Sequence, residues 1–129
     1  MKTILPEGWS RPKGYANGIL AEGKTLFIAG QIGWNEKEQF ESDDFVAQVE
    51  QALKNIVAVL EAGGGKPEHI ARLTWYVTDK KEYLARLQEI GVVYRGVLGA
   101  AFPTMSLVQV VALVEDRAKV EIEATAIIP

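Results

Sequence analysis

Residues 43–62 read DDFVAQVEQALKNIVAVLEA, and their spacing decides how the flanking segments must fold. Apolar side chains recur at Phe45 and Val46, Val49, Ala52 and Leu53, Ile56 and Val57, and Leu60. That three-to-four periodicity places them on one stripe of an amphipathic α-helix. Ser42 or Asp43 is placed to cap its N-terminus, Asp43 and Asp44 suit the positive end of the dipole, and Gly63-Gly64-Gly65 stops it. Such a stripe has to be buried, and the segments on either side supply the strands that bury it.

Downstream, Pro67 opens a short turn around His69, and residues 72–78 are β-branched and aromatic enough for a strand. Asp79 is placed to cap a second helix with the stripe Tyr83/Leu84, Leu87, Ile90, Tyr94 and Val97/Leu98, closed by Gly99. Upstream, a lead rich in proline and glycine (Pro6, Gly8, Pro12, Gly14) precedes residues 18–22 and 25–29. These flank Gly23-Lys24 and predict a β-hairpin, with Gly30 and Gly33 breaking the second strand. Two more strands are expected over residues 104–113 and 118–128. The order β-β-α-β-α-β-β predicts an α+β fold with both helices on one face of a sheet. Residues 1–129 contain no internal repeat and no linker, so a single domain is expected.

The strands alternate in a way that bears on assembly. Leu73, Trp75 and Val77 share one phase against Arg72, Thr74 and Tyr76, whereas the strand through Ser106 is apolar in both phases. Two helices shield one face only. The other is most economically covered by a second copy of the chain, which predicts an oligomer.

Composition narrows the chemistry. The chain has 129 residues, 48% of them hydrophobic and 24% charged, as expected of one globular core. No apolar run reaches membrane-spanning length and no signal peptide is evident, so a cytoplasmic protein without membrane contact is expected. A net charge of −3, with lysines and arginines scattered among acids, argues against nucleic acid as partner. With no cysteine and one histidine, disulfides, thiolate zinc sites and cysteine nucleophiles are excluded. His69 lies in a Pro67-Glu68-His69-Ile70 turn unlike any nucleophile elbow, and no metal-ligating cluster is evident. Gly63-Gly64-Gly65 follows a helix rather than opening one, which suits a helix stop and not a phosphate loop.

The C-terminal strand is more informative. Lys119, Glu121, Glu123 and Thr125 share one face, and Val120, Ile122, Ala124 and Ala126 the other. Two carboxylates therefore stand two residues apart in an otherwise apolar segment. Either they are solvated or paired with Lys119 and Arg117, or an oligomer cleft encloses one. Enclosure raises a carboxyl group's proton affinity, as general acid/base chemistry on water requires.

Several spaced segments then resemble one family. Lys13-Gly14-Tyr15-Ala16 is similar to the GPYS segment of the RidA/YjgF family, and Ala29-Gly30-Gln31-Ile32 to its SGQI. Gln48, Ala52-Leu53, Asn55-Ile56 and Leu60-Glu61-Ala62-Gly63 resemble its QxxxALxNIxxxLEAAG pattern. Phe102-Pro103 and Val120-Glu121-Ile122-Glu123-Ala124 resemble its FPARS and VEIEA segments. The resemblance runs from near the N-terminus to the C-terminus. It implies a chorismate-mutase-like fold with a mixed sheet, a homotrimer, no cofactor, and small-molecule clefts between subunits in which enamines or imines are hydrolysed to keto acids and ammonia. Carried over by position, it implies Glu121 as the group that moves a proton, with Tyr15, Gly30, Gln31, Ile32, Pro103 and Met105 lining the cleft.

The departures are as definite as the matches. Met105 stands where the family has its carboxylate-binding arginine, Ala29 replaces a serine, and Gly91 takes the place of an asparagine ahead of Tyr94. This pattern implies a divergent subgroup lacking the arginine, for which Arg95 and Arg117 are the candidate substitute cations. Two functions are compatible with it. One is deaminase-like hydrolysis through Glu121 and the backbone amides of residues 30–32. The other is a non-catalytic metabolite-binding protein whose apolar cleft is formed by Met105, Trp34, Tyr15 and Phe102.

Overall fold

A computed structural model describes residues 1–129. The elements run β1 (Lys2–Ile4), β2 (Gly18–Leu20), β3 (Lys24–Ile32), α1 (Phe45–Ala62), a 3-10 turn (Pro67–His69), β4 (Ile70–Val77), α2 (Lys80–Ala85), α3 (Leu87–Leu98), β5 (Thr104–Gln109) and β6 (Val120–Ile128). The main sheet has the order β3-β6-β4-β5, with β4 and β5 parallel and the other pairs antiparallel. It is the mixed sheet of an α+β fold, and α1 and α3 pack together over one face.

The core follows the periodicities. From α1, Phe45, Val49, Ala52, Leu53, Ile56 and Leu60 are almost completely buried; from α3, Ile90, Tyr94 and Leu98 join them. They meet Leu73, Trp75 and Val77 of β4 and Val120, Ile122, Ala124 and Ala126 of β6. Each fully buried leucine, isoleucine or phenylalanine contributes roughly 1.5–3 kcal/mol. The one buried polar side chain is Gln48. It donates to Ser42 O and Arg117 O and accepts from Lys119 N, tying α1 to the start of β6. Gly33 lets this happen, since a Cβ there would lie 2.5 Å from Gln48 Cβ.

Four details differ from the sequence reading. The expected hairpin about Gly23 is not a paired hairpin: β2 pairs with β1, while β3 enters the main sheet beside β6. At Gly23 φ is +146° and a Cβ would lie 2.4 Å from Ile128 O. The chain is thus pressed against the end of β6 and passes from one sheet to the other. The first helix starts two residues later than expected, capped by Asp44, whose Oδ2 accepts from Ala47 N, while Ser42 Oγ accepts from Asp44 N.

The second helix is broken at Arg86, which leaves helical geometry (φ −127°, ψ 28°). Its guanidinium bonds Asp44 at the start of α1 and Glu89 within α3. Finally, β5 ends at Gln109 rather than continuing to residue 113. Gln109 Oε1 accepts from Lys80 N, and Val110 N donates to Val77 O, which turns the chain off the strand and leaves Val111 and Val114 exposed.

Candidate functional site

Strand alternation sorts the candidate residues onto two faces of the sheet. On the helix-free face stand Arg72, Thr74 and Tyr76 of β4 and Glu121, Glu123 and Thr125 of β6. Between Ile28 and Gln31 the register of β3 slips by a bulge, which brings Gly30 against Glu121. A Cβ at Gly30 would lie 2.7 Å from the Glu121 carboxyl carbon, so only glycine leaves that carboxylate its position. Bulges of this kind commonly re-aim groups beside a site.

The two carboxylates are not equivalent. Tyr76 Oη donates to Glu123 Oε1 at 2.8 Å, and this bond, with the nearby acids, holds the phenol above its ordinary pKa. Glu121 has no such bond. Nor do Lys119 and Arg117 neutralise the pair: Lys119 Nζ lies 3.9 Å from Glu82, and Arg117 binds Asp43 and stacks on Phe40. Glu121 is therefore a half-buried acid with no partner in its own chain.

Met105 belongs to the other face. Its register partner is Leu73, a core residue, so its thioether points toward the helices. A cleft of about 390 Å³ opens there between α3, β4 and β5, lined mainly by Trp75, Tyr83, Tyr94, Phe102, Tyr15 and Met105. Tyr94 and Phe102 stack with centroids 6.3 Å apart, and Tyr83 meets the edge of Trp75 at the same distance. Burial raises the pKa of Tyr94, whose Oη donates to Ala101 O. Tyr15 reaches the cleft because Ala16 N donates to Pro103 O and Ala16 bridges Thr104. Two cations, Lys13 and Arg95, line it, and no carboxylate does.

The positions carried over by resemblance thus form two groups. Tyr15 and Met105 line the cleft, with Pro103 buried behind them as an anchor for the Tyr15 segment. Glu121 and Gly30 lie on the open face, whereas Gln31, beyond the bulge, pairs with the core residue Ile122, and its Nε2 donates to its own strand at Ala29 O. Ile32 is buried, and its carbonyl, with that of Trp34, accepts from Asn55 Nδ2. Trp34 packs on Phe40, away from the cleft. Of the two substitute cations, Arg95 lines the cleft and Arg117 does not.

The model of the family described as Endoribonuclease L-PSP matches residues 10–128. The chain belongs to this family, the RidA/YjgF family. The 2-iminobutanoate/2-iminopropanoate deaminase of Escherichia coli K12 is 33% identical to this member over 98% of its chain and 97% of the relative's. Among solved structures, the Rid family protein YyfB of Yersinia pestis superposes with a TM-score of 0.87 at 32% identity, covering 98% of both chains. TdcF of E. coli with bound serine gives a TM-score of 0.70 at 29% identity over the full length of both.

The cleft's aromatic wall was largely missed from sequence. Trp75, Tyr83 and Tyr94 read there as core residues, which they also are. The available signal was Gly91 four residues before Arg95, a spacing that leaves one helix face bare beside a cation.

Proposed function

We propose that this Rid family member hydrolyses imine- or enamine-type metabolites in clefts shared between copies of the chain, as a homotrimer. The observation that carries this reading is the separation of the two groups. Glu121 stands unpartnered on the open face, while the Tyr15–Met105 cleft opens on the opposite face with β4 between β5 and β6. One chain does not unite them. A neighbouring copy packed on the open face brings its cleft to Glu121, and this also covers Phe27, 79% exposed on β3, and Val108 on β5.

The chemistry asked of the residues is modest. Glu121 takes a proton from a water molecule as the water adds to the carbon of C=N. The proton passes to nitrogen, and the resulting carbinolamine collapses to a carbonyl as its hydroxyl proton is carried to the departing nitrogen, which leaves as ammonia. Water is consumed, a C=O bond replaces the C=N bond, both water protons end on ammonia, and Glu121 is regenerated. A positioned general acid/base contributes about 10²–10⁴-fold to such a step. The name of the E. coli deaminase and the serine bound by TdcF both support a ligand of amino-acid origin. The family's endoribonuclease label finds no support in a chain of net charge −3.

Ammonia release from freshly generated imine, measured for the unmodified protein and for Glu121→Gln, tests the proposal. Turnover by the first and its loss in the second are expected; equal turnover would refute the role of Glu121. Met105 in place of the family arginine favours a second reading, a non-catalytic metabolite-binding trimer. Ligand binding with no ammonia release from any imine would establish that alternative.

A further inference from the structure

Arg95 is the unspent charge of the aromatic cleft. The ion pairs of the chain engage Lys54, Arg86, Arg117 and Lys119, and neither Arg95 nor Lys13 takes part in any of them. Arg95 lies one helical turn beyond Gly91, and a Cβ at Gly91 would come within 3.2 Å of Arg95 Nη1. The guanidinium therefore rests across bare backbone, at a helix-interior position where glycine is otherwise unfavourable. A second observation points to a missing occupant. Trp75, which lines the same cleft, is 2% exposed, and its indole N–H is the one buried side-chain donor or acceptor without a partner. Buried donors are ordinarily satisfied.

We propose that Arg95, assisted by Lys13 at the mouth, is the anion-recognising group of this cleft, and that its ligand is a carboxylate joined to an aromatic ring. Charge and shape argue together. Two cations face the space and no carboxylate of the same chain lines it; the single Glu121 that a neighbouring copy brings leaves one of the two cations free, and a guanidinium matches a carboxylate in two parallel hydrogen bonds. The space of about 390 Å³ between Tyr94/Phe102 and Trp75/Tyr83 lies within the range of small-molecule sites and is walled by rings that stack on another ring. Coming from α3 rather than β5, the cation leaves the position of Met105 free for apolar contact. The inference refines the hydrolase reading by making its substrates aromatic 2-imino acids, but the binding claim stands on the cleft alone.

The test uses the full-length protein and phenylpyruvate, the aromatic 2-oxo acid that hydrolysis of such an imine releases. Pyruvate and phenylacetone serve as probes lacking the ring and the carboxylate. Binding is followed by the NMR signal of the Trp75 indole N–H, assigned with Trp75→Phe. Phenylpyruvate is expected to shift that signal and to bind at least about tenfold more tightly than either probe. Arg95→Gln, an exposed substitution, is expected to weaken phenylpyruvate about ten- to a hundredfold while leaving phenylacetone unchanged, and Arg95→Lys to restore part of the loss. Unchanged phenylpyruvate affinity in Arg95→Gln, or pyruvate bound as tightly as phenylpyruvate, would overturn the inference. Arg95-dependent binding without any ammonia release sustains it and defeats the hydrolase reading alone.

Discussion

The two faces of the main sheet are built from the same strands and end in opposite states. On the helical face, Val120, Ile122, Ala124 and Ala126 of β6 alternate into a sealed apolar core whose single polar side chain, Gln48, has three hydrogen bonds. On the open face, Glu121, Glu123 and Thr125 of that strand meet Arg72, Thr74 and Tyr76, and Glu121 is left without a partner. The helical side has its own incompleteness, at the edge where α3 leaves a cleft with two cations and an orphaned indole N–H. A free acid on one face and free cations on the other make the faces of separate copies chemically complementary. The sealed region holds the core, and the two open ones hold the candidate site residues.

This contrast is most easily broken at Glu121. Glu121→Gln is expected to lower imine hydrolysis by at least about a hundredfold while thermal unfolding stays the same, because no intramolecular bond is lost. Glu123→Gln, which weakens only the bond from Tyr76, is expected to retain most of the activity. Steady-state ammonia release from both variants decides between them; the reverse pattern would assign the chemistry to the wrong carboxylate.

The sealed region predicts the opposite behaviour. Gln48→Ala strands Ser42 O, Arg117 O and Lys119 N together and is expected to destabilise the fold by about 2–4 kcal/mol, each unsatisfied buried group costing about 1–3 kcal/mol in full. Urea unfolding measures this. A loss below the scatter of surface substitutions would mean that water replaces all three bonds.

Gly30→Ala sharpens the comparison because it lies on the open face yet changes no core contact. Its Cβ displaces the mobile end of Glu121 rather than backbone, so turnover is expected to fall about tenfold, on the scale of a misplaced catalytic group. Stability should stay within about 1 kcal/mol. A large stability loss with normal turnover would argue that the bulge is purely structural.

The smallest effect concerns pH and the sealed face. Asp44 caps α1, and its bonds to Arg86 and to Ala47 N hold its pKa below the ordinary 3.8. A depressed folded-state value adds stability above the unfolded pKa, and that stability is lost as pH falls through the folded value. Asp44→Ala is therefore expected to cost about 1 kcal/mol at pH 7, as a lost helix cap does, and the gap to the unmodified chain should narrow as pH falls below the ordinary 3.8 and through the depressed folded value. A gap constant with pH would exclude the carboxylate as its source.

Much of the sealed region was legible in the sequence, because periodicity reports burial directly. The α1 stripe, the β4 alternation and the β6 alternation all appear in the structure as read. What escaped depends on contacts between distant residues. The break at Arg86 is made by Asp44, 42 positions away, and no local propensity announces it. The failed hairpin at Gly23 reflects the end of β6 lying against that glycine. The resemblance pointed to Glu121 and Met105 as one site, yet within one chain they stand on opposite faces. The strand through Ser106 is apolar in both phases, so only its register with β4, Met105 beside Leu73 and Glu121 beside Tyr76, reveals this.

The central claim is that sites form between the open face of one copy and the cleft of another. Mixing two inactive variants tests it most directly: Glu121→Gln, which lacks the acid, and Met105→Glu, which places a charge in the cleft beside Arg95. The two are unfolded together, refolded, and assayed for ammonia release from imine. In a hybrid oligomer an intact Glu121 from the second variant meets an intact cleft from the first, so the mixture is expected to regain activity that neither parent has. A refolded mixture no more active than its parents, or one that sediments as monomer, would contradict the account.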